Sequence, residues 1–159
     1  MEQQVRLYIQ AIHHIVDQEL IEGGVLDQTV ETMENWYDAT LQVKENVTYI
    51  KYHESEPDNG EVKTVIKLEG DEVTIIRFGQ VKSKQKFCKG KQYKSHYETP
   101  YGVLPLEVDT VDMVVDFVSK DDGFIQIDYA LDIGGERLGT RKVDIRIVPG
   151  NLRHVTYKH

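Results

Sequence analysis

Residues 62–99 read VKTVIKLEGDEVTIIRFGQVKSKQKFCKGKQYKSHYET. Alternating runs are broken at Gly70, Gly79 and Gly90, the pattern of an antiparallel meander. Side chains in a strand alternate between two faces, so a slip of one residue exchanges them. A Gly79-Gln80 turn pairs Phe78 with Val81, Ile76 with Ser83 and Thr74 with Gln85. A three-residue loop at 70–72 pairs Leu68 with Thr74 and Ile66 with Ile76, and another at 89–91 pairs Phe87 with Tyr93 and Ser83 with Tyr97. Short Gly-containing loops of this kind are the common hairpin connections.

These registers sort the residues. One face takes Val62, Thr64, Ile66, Leu68, Thr74, Ile76, Phe78 and Val81, then Ser83, Gln85, Phe87, Tyr93, Ser95, Tyr97 and Thr99. The other takes Lys63, Lys67, Arg77, Lys82, Lys84, Lys86 and Lys94. The inner face is therefore aliphatic in the first half and hydroxyl-, amide- and aromatic-rich in the second. A packed interior would be aliphatic throughout, because buried polar groups need partners. A barrel that holds water or a ligand tolerates them. Val65, Val73 and Ile75 fall outward as a small apolar stripe, either plain surface or a homodimer contact.

The rest of the chain carries the same signal. Residues 3–16 alternate through Val5, Leu7, Ile9 and Ala11, and the parity change at Ile12 predicts a bulge. Residues 17–28, with Gly23-Gly24, read as a long loop. Strands are expected over 29–43 and 47–54, joined by a turn at 44–46, with a further turn in SEPDNG at 55–60. Pro100 and Gly102 mark a corner. Leu104, Leu106 and Val108 share one parity and Val111, Met113, Val115 and Phe117 the other, which predicts a bulge near 109–110. Ile125, Ile127, Tyr129, Leu131 and Ile133 alternate cleanly, and Val143, Ile145 and Ile147 follow Gly134-Gly135. If a three-residue loop joins those two runs, Arg137 and Arg141 point inward; if a bulge precedes Val143, they point out. The tail, 149–159, is expected to be loosely ordered. The count is about ten short strands with tight turns, an all-β chain read as a single antiparallel up-and-down barrel.

At 159 residues, with 40 % hydrophobic and 29 % charged residues, the chain has the length and composition of one soluble domain with a real core. It has no apolar run of the roughly 18 residues that a membrane helix needs. The start lacks a signal-peptide pattern, and the single cysteine, Cys88, excludes an internal disulfide. Both point to the cytoplasm. A net charge of −8 argues against nucleic acid, although Lys82, Lys84, Lys86, Lys89, Lys91 and Lys94 crowd one hairpin.

In order and spacing, several stretches resemble the YwiB-like family of uncharacterised bacterial proteins. They are Tyr49–Glu54, Val62–Lys67, Arg77-Phe78-Gly79 with Phe87 and Gly90, Tyr97–Gly102 and Ile125–Tyr129. The resemblance implies a lipocalin-like (calycin) barrel over 1–159 and no assigned activity, so no catalytic residue carries over.

The chemistry candidates follow. A small, partly apolar or amphipathic ligand in the interior would meet Ser83, Gln85, Phe87, Tyr93, Ser95, Tyr97 and Thr99, with Arg141 for a carboxylate or phosphate if it turns in. An anionic partner outside would meet Lys82, Lys84, Lys86 and Lys94, although the expected aromatics lie on the opposite face, unlike a single-strand binder. The plainer reading of those lysines is an edge guarded against aggregation. Adjacent His13 and His14 face opposite sides, and no Cys/His spacing suits zinc, so no metal, cofactor or catalytic group is expected. Cys88 falls near Lys86 and Lys89, which predicts a lowered thiol pKa.

Overall fold

β-Branched and aromatic residues at alternate positions make strands almost everywhere in the computed structural model, which describes residues 2–16, 28–56 and 60–150. In chain order they are β1 (Glu2–Val16), β2 (Gln28–Lys44), β3 (Val47–Glu56), β4 (Gly60–Glu69) and β5 (Glu72–Phe78), then β6 (Lys82–Phe87), β7 (Gln92–Thr99), β8 (Gly102–Ser119), β9 (Asp122–Ile133) and β10 (Glu136–Pro149). Each strand pairs antiparallel with its chain neighbours, and β10 returns to β1 to close the barrel. Closure gives every strand two partners and removes the open edges a flat sheet would expose. Of the expected loop over 17–28, residues 17–27 lie outside the described residues and Gln28 opens β2; of the expected 55–60 turn, 57–59 lie outside them, while Ser55 and Glu56 extend β3 and Gly60 opens β4. The predicted loose tail starts too early: Pro149 is the last residue of β10 and pairs with Val5.

The turns follow from backbone chemistry. Glu45 and Asn46 both take positive φ, 53° and 66°, the I′ hairpin geometry whose twist matches the flanking strands. At the β4–β5 hairpin the expected three-residue loop is wrong. Glu69 pairs with Glu72, so only Gly70-Asp71 turns, and Ile66 faces Ile75 rather than Ile76. The following loop is also one residue off, in the compensating sense: Ile75 faces Gln85 and Arg77 faces Ser83. The two shifts cancel, so β6 keeps its expected faces while β5 is turned over.

The inversion of β5 has consequences. Val73 and Ile75 are buried inside the barrel, and Val65 is also buried, so the proposed outer apolar stripe does not exist. Phe78, expected inside, is 47 % exposed. Arg77, expected outside, points into the interior. This register sets the β-branched Val73 and Ile75 into the core cluster and turns Ile76 and Phe78 outward.

β1 has no bulge. His13 continues the row Val5, Leu7, Ile9, Ala11, in register with Arg141 on one side and Glu31 on the other. β8 does have the predicted irregularity, between Thr110 and Asp112. In β10 neither sequence alternative holds whole. The turn is two residues, Gly134-Gly135, and a bulge at Leu138 falls between the arginines. Arg137 therefore points out to Asp132 while Arg141 points in.

The interior is divided along the barrel axis. At one end Leu7, Leu41, Ile50, Ile66, Leu106 and Ile147 are fully buried and close-packed in one cluster. Further along the same strands the inward positions become Ala11 and His13 on β1, Arg77 on β5 and Arg141 on β10. Among the described residues β2 meets β3 only from Ala39 to Lys44, so the polar end is the open one.

Candidate functional site

A cavity of about 770 Å³ occupies that open half. Its floor is apolar: Ile75, Phe87, Ile127 and Ile145. Phe87, 1 % exposed, meets Tyr129 edge-on with ring centroids 4.8 Å apart. One wall carries Tyr37 and Tyr52, tilted rings 4.8 Å apart. Polar groups project above this floor: Ser83 and Gln85 from β6, Tyr97 from β7, Glu54 from β3 and Arg77 from β5. Across the barrel stand His13 and Arg141, opposite each other in the β1–β10 register. A closed sheet widens with strand number, and ten strands leave more room than the eight that side chains can just fill. The small inward residues Ala11 and Ser83 leave that room unoccupied.

Electrostatics in the cavity are set by burial. Burial and the charge of Arg141 hold the His13 imidazole below its usual range, so it is neutral at neutral pH. Among the described residues the Nε2 of His13 and the Nε of Arg141 are buried without a hydrogen-bond partner. Burial, and after it the charge of Glu54, push the Tyr52 phenol well above the ordinary tyrosine range. The folded chain keeps a proton there that the unfolded chain releases near pH 10, so stability falls as pH rises past about 10. Melting curves between pH 8 and 11 check this: wild type loses stability more steeply with pH than Tyr52→Phe does.

Of the interior residues expected from sequence, Ser83, Gln85, Phe87, Tyr97 and Arg141 line the cavity. Tyr93, Ser95 and Thr99 do not. The Tyr93 hydroxyl donates to Glu72 at 3.3 Å, and its ring lies 5.3 Å from Lys86 Nζ. Ser95 donates to the Lys84 carbonyl at 2.5 Å. Thr99 closes its own turn by donating to the Gly102 carbonyl at 2.9 Å. The residues missed were His13, Arg77, Tyr37 and Tyr52. For His13 the signal was present, since unbroken parity from Val5 puts it inside.

Residues 21–145 match the family described as Domain of unknown function (DUF1934). The chain belongs to this family. It is similar to the uncharacterized β-barrel protein YwiB of Bacillus subtilis (strain 168), with 36 % identity over 95 residues. That match covers 60 % of this chain and 66 % of the relative, just under two thirds of its length. The crystal structure of the ywiB protein from Bacillus subtilis superposes with a TM-score of 0.70 at 28 % identity, covering 94 % of this chain and 93 % of that one. Membership of the DUF1934 family brings a β-barrel and no assigned activity or ligand.

Outside the cavity, this DUF1934 barrel modifies two further expectations. Lys86 pairs with Glu72 at 3.1 Å and Lys89 with Asp112 at 3.2 Å, so the lysine hairpin is partly neutralised by acids from β5 and β8. Cys88 is buried, 4 % exposed, and burial followed by the nearby Asp71 raises its thiol pKa; the predicted lowering is wrong because the lysines reach solvent and the sulfur does not. Ellman's reagent at pH 8 should therefore label the native protein slowly and the urea-unfolded protein at once. Among the described residues no three His, Cys, Asp or Glu side chains converge as metal ligands.

Proposed function

We propose that this chain is a binding barrel for a small, partly apolar molecule held in its open half. The observation that carries this reading is the 770 Å³ cavity, within the roughly 300–1,000 Å³ of ordinary ligand sites. An apolar floor with a few convergent polar groups is what such sites use to hold and orient a ligand. The mode would be lipocalin-like, with entry through the open end beside β2. The outer-surface reading has less behind it, since Val73 and Ile75 of its apolar stripe are interior, Val65 is covered, and two of its lysines face carboxylates.

Titration with Nile red, a neutral apolar fluorophore, tests the reading. The expected result is a saturable, blue-shifted emission at one dye per barrel. Ser83→Trp, which places an indole in the cavity, should weaken it by about tenfold or more while leaving the β-sheet circular dichroism unchanged. No saturable signal, or one indifferent to Ser83→Trp, contradicts the proposal.

A further inference from the structure

Five arginines are placed by the structure, and they divide by face. The three outward ones each meet a carboxylate: Arg6 with Asp38 at 3.5 Å, Arg137 with Asp132, and Arg146 with Asp122 at 2.7 Å. The two inward ones, Arg77 and Arg141, meet none within 4 Å among the described residues. Arg77 on β5 and Arg141 on β10 are five strands apart in a ten-stranded ring, so they approach the cavity from opposite walls. Glu54 also faces the cavity, where its charge acts on the neighbouring Tyr52 phenol. Glu34 accepts from Tyr8 at 2.5 Å, and Glu31 stands at the rim opposite His13.

A guanidinium in a low-dielectric cavity without a counter-charge is costly, and the usual remedy is an anion. Arg141 points the same way: its Nε is buried and, among the described residues, has no hydrogen-bond partner, beside the Nε2 of His13, which has none either. An arginine presents N–H donors in a planar fork that matches a carboxylate or phosphate. We propose that the cavity takes an amphipathic anion, its carboxylate or phosphate group held by Arg141 with Arg77 facing it and its apolar body lying on Phe87, Ile75 and Ile127. This rests on the reading of the interior as a ligand site and adds the chemical class of the ligand. Burying an acyl or aryl body below and a charge at the mouth suits the axial division of the interior.

Calorimetric titration of the full chain at pH 7 with decanoate, decyl phosphate and decanol tests it, since the three share a tail and differ only in head group. The expected result is at least one anion binding about tenfold or more tighter than decanol, the tighter of the two identifying the head group. Arg141→Gln should weaken that anion by about 10- to 100-fold, leave decanol within about twofold and be partly rescued by Arg141→Lys. Arg77→Gln is the second variant should Arg141→Gln not fold, with the same selective loss expected; Arg137→Gln, on the outer surface, should change nothing. Equal binding of all three probes, with no effect of either inward arginine, overturns the anion assignment while interior binding stands. No binding of any probe overturns both.

Discussion

Gly139→Ala destabilises the barrel by about 3 kcal/mol or more, a loss of roughly 6–12 °C in Tm. Gly139 sits just after the β10 bulge at φ +141°, a conformation that L side chains rarely adopt. A Cβ there would lie 1.9 Å from the His14 carbonyl oxygen and 2.9 Å from its carbonyl carbon. Those atoms belong to β1 backbone, which cannot rotate away as a side chain could. The strands must separate or the bulge must move. Either change breaks the β1–β10 seam that closes the barrel, and it disturbs Arg141 two residues on. Thermal and urea denaturation read the loss, and Gly134→Ala is the control. Gly134 also has positive φ, but a Cβ there finds only Leu104 Cδ2 at 3.9 Å, so the clash term is absent.

Phe87→Ala costs about 3–5 kcal/mol, the range for truncating a buried aromatic. Its ring is 1 % exposed, belongs to the main core cluster and forms the edge-on contact with Tyr129. The site cannot collapse to fill the gap, because the cavity already lies on its open side. Phe87→Leu, which keeps most of the volume, should cost well under half as much. Urea titration separates the two variants, and an unchanged slope would show that stability has moved and not the unfolded state.

These two residues mark what was legible. Phe87 was placed correctly inside because β6 alternates lysine with Ser83, Gln85 and Phe87, and solvation of lysine fixes the faces. β9 was legible for the same reason, with Gln126 and Asp128 set against the row Ile125, Ile127, Tyr129 and Leu131. β5 was not, because Val73, Ile75 and Ile76 put apolar residues on both parities and its one charged interior position, Arg77, argued for the wrong face. That arginine is also a candidate site residue, so the local rule failed at a position where the interior departs from a plain core. On β1, Ile12 suggested a bulge because an outward isoleucine looked misplaced; it faces Lys142 across the sheet on the outer face. Arg141 could not be aimed from sequence, since a one-residue bulge at Leu138 decides its face. Of the polar row from Tyr93 to Thr99, only Tyr97 lines the cavity. Inward parity does not make a residue line a cavity where the strand's own hydroxyls find backbone partners, as Ser95 and Thr99 do.

The proposed ligand site is inside, at the open end, between β1, β5, β6 and β10. Amide chemical-shift mapping by two-dimensional NMR during titration with decanoate tests it most directly. Shifts are expected to concentrate at Ile9–His13, Ile75–Arg77, Ser83–Phe87 and Gly139–Val143 and to saturate together. Shifts confined to the outer lysines Lys82, Lys84 and Lys94, or no saturable shifts at all, would contradict it.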